Sequence, residues 1–296
     1  FNNVMLSAIL GIVLFGTLYP LMTEAFGTRV SVGPPYFNPM GAVFFLPMVL
    51  VLMAGPLLRW RGDTLRRIAR PLALSAVVVL ASVLALLFHG GGAVLPFLGM
   101  ALAAGLAVAS LLPLRERDLR RTPLATWGMV TAHFGIAVSL IGMASESAFS
   151  VEKLVAARVG DRVAVGPGAV TLSAVEPVAG PNWTALQAPV TAQYRGGRAI
   201  ELTPQSRSFW APPQTTAESA LATRWNGQLY AVLGEEAGDG RWQLRLWWKP
   251  FVTLIWYGAL LIALGGALAL AGRVRTDVRR LSARARIAER REEKPA

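Results

Sequence analysis

Six long apolar runs constrain the fold of this chain more than any other feature of its sequence. A helix that crosses a bilayer needs about 20 mostly apolar residues, and six segments meet that requirement: 4–26, 40–58, 71–88, 93–112, 124–144 and 251–271. Hydrophobic residues make up 54% of the chain and charged residues only 16%, which is too few charges for an ordinary soluble domain. The sequence therefore predicts a mainly α-helical membrane protein with six transmembrane helices.

The basic residues lie in short clusters between the apolar runs, so the net charge of +12 is not taken as a sign of nucleic-acid binding. The loop after the second run carries Arg59, Arg61, Arg66, Arg67 and Arg70. The loop after the fourth run carries Arg115, Arg117, Arg120 and Arg121. Cytoplasmic loops are rich in arginine and lysine. We therefore expect both ends of the chain in the cytoplasm and no nucleic-acid partner.

Residues 150–249 differ from the rest of the chain in their pattern of polar and apolar residues. Alternating segments with β-branched and aromatic residues are separated by Gly-Pro, Gly-Gly and Gly-Asp-Gly turns, a pattern typical of short strands. The sequence predicts a five-helix region over 1–149, a β-rich domain over 150–249 that is inserted between spans five and six on the outer side, a final span over 250–272, and a basic cytoplasmic tail over 273–296. We expect that tail to be partly helical and to touch anionic headgroups.

One histidine lies in the middle of an apolar run. His133 follows Leu124 by nine residues within the stretch WGMVTAHFGIAVSLIG, and at 1.5 Å per residue that places it roughly 13–14 Å into the membrane. An ionisable side chain at that depth needs a partner and is a candidate functional site. Three interpretations remain open: a neutral histidine hydrogen-bonded between helices, a member of a proton pathway, and an axial ligand of a haem iron.

Small residues recur beside this histidine. Gly128, Ala132 and Gly135 follow one another at spacings of four and three, so one face of the fifth helix is nearly bare. Either a flat macrocycle or another helix could approach that face. The other histidine, His89, stands before Gly90, Gly91 and Gly92 at the outer interface, where capping or snorkelling and a ligand role are about equally favoured.

Four aromatic or proline-rich stretches have simpler interpretations. Two consecutive prolines in SVGPPYFNP (31–39) predict a rigid turn between the first two spans. Trp183 and Trp210 are expected in the core of the β-rich domain, with a docking role for their loops as the alternative. The paired tryptophans of RLWWKP, Trp247 and Trp248, are expected at the membrane interface.

Several stretches together resemble the C-terminal half of the CcmF family of cytochrome c-type biogenesis proteins, in the order found in that family. They are NNVMLSAILGIVLFGTLYPL, SVGPPYFNP, WGMVTAHFGIAVSLIG, VAGPNWTA, QLYAVLGE and RLWWKPFVTLIWYGALLIALGG. The resemblance implies a haem b in the membrane part, held by two transmembrane histidines, of which the second corresponds to His133. The first histidine and the tryptophan-rich haem-presentation motif of the family have no counterpart in this chain.

The resemblance further implies a haem-binding component of the haem-ligation complex that attaches haem to apocytochrome c. It places the chain in the bacterial inner membrane and the β-rich domain in the periplasm. The second axial ligand would come from an N-terminal half or a complementary subunit, and no catalytic residue is assigned to this chain. Because the chain has no cysteine, thiol chemistry would belong to apocytochrome-thiol-handling subunits, and a periplasmic haem carrier would be a further partner. The alternatives are a membrane scaffold that binds no haem and a secondary transporter.

Overall fold

The computed structural model describes residues 2–58, 62, 64–89, 94–115, 117–194 and 197–292. Within these residues it contains six long helices, each of which is apolar and long enough to cross a membrane. Their bounds are α1 Asn2–Ala25, α2 Pro34–Ala54, α3 Leu65–His89, α4 Val94–Leu111, α5 Leu124–Phe149 and α6 Thr253–Glu292. The predicted set of six apolar helices is confirmed.

Two helix boundaries differ from the expectations. The predicted turn at SVGPPYFNP is wrong over its second half, because α2 begins at Pro34, directly after the extended residue Gly33. Proline suits the first turn of a helix, where its missing N–H group would have no partner. At the other end of the chain, α6 continues through the predicted tail to Glu292.

Some predicted features lie outside the described residues. These are Arg59 and Arg61 in the first arginine cluster, Gly90, Gly91 and Gly92 after α3, and the last four residues of the tail, 293–296. The backbone of His89 ends α3, but its side chain also lies outside the described part.

The chain divides into two compact units, and the first contains the helices. It comprises Phe1–Ile141 and Trp256–Ala296. Its buried core joins α2, α4 and α5 through Val49, Met53, Leu102, Leu106, Ala109 and Ala137. Many long apolar side chains on the outer faces are exposed, such as Leu10 and Phe88, as expected for helices that face lipid.

The second unit, Gly142–Ile255, consists mainly of antiparallel β-sheet. Its twelve strands form three four-stranded sheets with the orders β1-β12-β11-β10, β2-β3-β6-β7 and β4-β5-β8-β9. The strands are β1 Val151–Ala157, β2 Arg162–Val165, β3 Gly168–Leu172, β4 Glu176–Ala179, β5 Trp183–Gln187, β6 Val190–Tyr194, β7 Ile200–Leu202, β8 Gln205–Trp210, β9 Pro213–Glu218, β10 Ala220–Arg224, β11 Gly227–Gly238 and β12 Arg241–Pro250. The prediction that this part of the chain is rich in β-strands is confirmed.

The core of this unit follows from alternation along its two longest strands. Side chains of a strand alternate between its two faces, and in β11 and β12 the alternate positions are apolar. Leu229 pairs with Trp248, Ala231 with Leu246, and Leu233 with Leu244; all six are buried. The expectation that Trp248 lies at the membrane interface is therefore wrong, because this ring is 6% exposed within the core.

We expect Leu244→Ala to destabilise the β-rich unit strongly. Leu244 is fully buried, and truncation of a buried leucine costs about 2–5 kcal/mol because a cavity replaces its contacts. Tryptophan fluorescence during thermal unfolding of the purified chain measures this loss. Leu154→Ala on β1 is the matched control, since Leu154 is 65% exposed; equal destabilisation by both substitutions would contradict this assignment of the core.

Candidate functional site

The site is built on α5, and the position of α5 is fixed by close contact with α6. A Cβ atom placed on Gly128 would lie 2.5 Å from the backbone N of Ala269 and 2.5 Å from the carbonyl O of Gly265. A Cβ atom on Gly265 would in turn lie 2.5 Å from the backbone N of Ala132. No methyl group fits at such distances, so the two helices pack backbone to backbone, as small residues allow in membrane helices.

The same contact repeats two turns farther along α5. A Cβ atom on Gly135 would lie 2.7 Å from the carbonyl O of Gly258 and 2.8 Å from the backbone N of Ile262. We call Gly128, Gly135, Gly258 and Gly265 the glycine interface. Of the two alternatives for the bare face of α5, contact with another helix is confirmed, and a macrocycle on that face is wrong because α6 occupies it.

His133 lies on a different side of α5 from the glycine interface. Successive residues of a helix are rotated by about 100°, so His133 points away from the face of Ala132 and Gly135. Its neighbour one turn on, Ala137, is fully buried against the core of α2 and α4. The imidazole is half-buried at the border of that core.

The hydrogen bonding of His133 determines which ring nitrogen is available. Nδ1 lies 2.8 Å from the carbonyl O of Met129, one turn earlier in α5. A carbonyl oxygen only accepts, so Nδ1–H donates and the neutral ring carries its lone pair on Nε2. Among the described residues no partner is recorded for Nε2. Histidines that ligate metals usually have their other ring N–H held in this way.

The described side chains fit a metal-containing group that is coordinated by a single nitrogen atom of this chain. Among the described residues, no cluster of three or more His, Cys, Asp or Glu side chains could hold a metal ion by itself. The Nε2 of His133 is a half-buried nitrogen in an apolar helix, which suits coordination of haem iron.

The tryptophans of the β-rich unit divide between packed and exposed positions. Trp183 is half-buried in β5, with the guanidinium carbon of Arg207 4.4 Å from its ring centroid. Trp210 is 56% exposed, so the expectation of a core position is wrong for it. Trp225, in the turn between β10 and β11, is 79% exposed, and the sequence analysis did not identify it as a surface residue. The Asn-Gly pair that follows it is a turn signal that could have indicated this position.

Trp225 borders a positively charged cavity of about 820 Å³ on the β-rich unit, together with Arg162, Tyr194 and Arg224. The guanidinium carbon of Arg224 lies 4.3 Å from the ring centroid of Tyr194. The hydroxyl of Tyr194 is buried and has no hydrogen-bond partner among the residues that the structure describes. Burial raises the pKa of this phenol, and Arg224 partly offsets the effect. This phenol is therefore neutral near pH 7, and the positive charge of the cavity comes from its arginines.

Known proteins resemble both units of the chain. Residues 148–250 match the family described as the CcmF C-terminal beta-sandwich. The chain is 37% identical over 274 residues to the cytochrome c-type biogenesis protein CcmF of Escherichia coli (strain K12), with 91% of this chain and 42% of that protein covered. It is 34% identical over 287 residues to the cytochrome c-type biogenesis protein CycK of Rhizobium meliloti (strain 1021), with 92% and 42% covered.

A solved structure of the cytochrome c heme lyase CcmF has the same fold. It matches with a TM-score of 0.69 at 24% identity, over 91% of this chain and 44% of that chain. The chain thus spans about two fifths of the length of the relatives that it matches. The predicted resemblance to the C-terminal half of the CcmF family is thereby confirmed, and residues 148–250 match the C-terminal beta-sandwich of that family.

Proposed function

We propose that this chain is the haem-binding membrane component of a complex that attaches haem to apocytochrome c. In this proposal His133 provides one axial ligand to a haem b within the membrane. The observation that carries it is the hydrogen bond from Nδ1–H of His133 to the carbonyl of Met129, because it leaves the Nε2 lone pair available. Relatives described as cytochrome c-type biogenesis proteins support the same role.

Three features of the chain would serve this role. The Met129 carbonyl fixes the tautomer and orientation of the imidazole. The glycine interface holds α5 against α6, so that the histidine cannot shift along the membrane normal. The apolar residues around His133 in α5 would provide the kind of surroundings that tune the potential of a bound haem. Haem bound there would supply one-electron redox chemistry, at a potential that depends on its axial ligands and burial.

The proposed assembly lies in the bacterial inner membrane with both ends of the chain in the cytoplasm. The β-sandwich would then be a periplasmic domain inserted between the fifth and sixth spans, and the described clusters of arginine would face the cytoplasm. The partners would be an N-terminal half or complementary subunit with the second axial ligand, a periplasmic haem carrier, and the subunits that handle apocytochrome thiols. The exposed Trp225 and the arginines of its cavity are a suitable docking surface for one of these.

Covalent attachment of haem to c-type cytochromes in the host tests this function. His133→Ala should lower the amount of haem-stained cytochrome c at least ~10-fold, since even residues that only support a metal ligand contribute that much. Met143→Ala is the matched control, because Met143 lies on the same helix and is 42% exposed. Normal maturation in a His133→Ala strain with normal protein levels would contradict the ligand role and leave a scaffold that binds no haem.

A further inference from the structure

A second cavity, in the helical unit, is lined by four arginines. It has a volume of about 610 Å³ and lies where the chain enters α5 and where the apolar part of α6 ends. Arg120 and Arg121 come from the segment before α5, and Arg275 and Arg279 come from α6. The two pairs are more than 150 residues apart in the sequence, so only the fold brings them together.

Direct backbone contact builds this cavity. A Cβ atom on Gly272 would lie 2.7 Å from the backbone N of Ala125, so the two helices touch at its base. Arg275 and Arg279 are four residues apart and therefore share one face of α6. The segment before α5 is also ordered, because the backbone N–H of Arg120 donates to Asp118 Oδ1 at 3.0 Å.

The charge of this cavity is strongly unbalanced. No carboxylate is found among the described residues that line it. Arg121 forms an ion pair with the nearby Asp118 at 3.5 Å, whereas no ion pair with a described carboxylate is recorded for Arg120, Arg275 or Arg279. The N–H groups at the start of α5 add partial positive charge on the same side. The arrangement therefore favours an anion.

The level of the cavity along the helices indicates the source of that anion. Leu124 and Ala125 begin an apolar run, and Gly272 ends another, so the arginines lie where hydrocarbon gives way to headgroups. Basic pockets between membrane helices at this level bind lipid headgroups. Arginine also matches phosphate oxygens with two parallel N–H donors.

We propose that this cavity binds the phosphate of an anionic phospholipid, with the acyl chains lying along the apolar faces of α5 and α6. Such a lipid would hold the loop before α5 against α6. It would thereby stabilise the membrane end of the helix pair that carries His133. This site is independent of haem, so its test is separate from the test of the proposed function.

Lipid binding to the purified, delipidated assembly provides the test, with native mass spectrometry as the readout. The probes are phosphatidylglycerol, zwitterionic phosphatidylcholine and, to detect a free-anion site, glycerol 3-phosphate. We expect phosphatidylglycerol to bind more tightly than phosphatidylcholine. The double substitution of Arg275→Gln and Arg279→Gln should weaken phosphatidylglycerol binding about 30-fold. Each arginine at a membrane surface contributes less than about tenfold to the affinity, and the two factors multiply.

The matched control removes the same charge from the same helix. Arg273→Gln with Arg280→Gln changes two arginines of α6 that do not line the cavity, and it should change the affinity less than about twofold. Equal losses in the two double variants would overturn the proposal in favour of general surface charge. Glycerol 3-phosphate binding as tight as the lipid would overturn it in favour of a free-anion site. Helix content by circular dichroism confirms that each variant is folded before binding is compared.

Discussion

Gly265→Leu is expected to prevent the pairing of α5 with α6 and to remove most of the folded protein. A Cβ atom at this position would already lie 2.5 Å from the backbone N of Ala132 and 2.6 Å from the carbonyl O of Gly128. Both are backbone atoms and cannot rotate away, so the helices would have to separate along their whole contact. We therefore expect a cost at or above the upper end of the about 1–3 kcal/mol that is typical of overpacking.

The adjacent glycine gives the matched control. Gly266 lies on the same helix, and a Cβ atom there would meet no described atom within 4 Å. Gly266→Leu should leave the yield of monodisperse protein near that of the parent. Gly265→Leu should lower it at least about tenfold, since a cost of about 3 kcal/mol shifts the folding equilibrium by more than about 100-fold. Size-exclusion chromatography of the detergent-solubilised protein measures both. Similar yields for the two variants would contradict close packing at the glycine interface.

His133→Ala is expected to leave the helices folded and to remove the haem. The imidazole is half-buried and donates one recorded hydrogen bond, to Met129 within its own helix. Its removal should therefore change the thermal midpoint little, because alanine favours the helix and the lost hydrogen bond is local. Loss of an axial nitrogen ligand should nevertheless reduce haem occupancy by more than about tenfold.

Added imidazole separates a ligand role from a packing role. The alanine variant leaves a space of the size of the ring at the same position on α5, and free imidazole can occupy it and ligate iron. Partial return of haem binding with imidazole is expected for a ligand. A variant that loses haem but does not respond to imidazole, and that also unfolds at lower temperature, would indicate that His133 supports the packing of the helices.

Hydropathy predicts the helices of this chain well because a bilayer leaves few other structures. Every backbone polar group in the hydrocarbon must be satisfied within its own segment, so long apolar runs such as α4 become helices. The same reasoning is weaker at the ends. It missed that Pro34 begins α2, and it predicted only a partly helical tail where α6 continues to Glu292, because outside the membrane the local propensity and the charges decide.

The candidate site was predicted in part. The position of His133 in an apolar run identified it as unusual, but the run contains no information on which ring nitrogen is free. The small residues around it predicted close approach without indicating the partner, since α6 follows α5 only after the β-rich unit. Likewise, no local pattern joins Arg120 with Arg279; their common cavity exists only because Gly272 contacts Ala125.

The reduced-minus-oxidised optical spectrum shows directly whether His133 is a haem ligand. It should be recorded on the chain purified with everything that accompanies it, beside the His133→Ala variant at equal protein concentration. We expect a sharp low-spin b-type spectrum for the parent, its absence in the variant, and its partial return with imidazole. A preparation that contains the complementary half and shows the same b-type spectrum with and without His133 would contradict the assignment of His133 as an axial haem ligand.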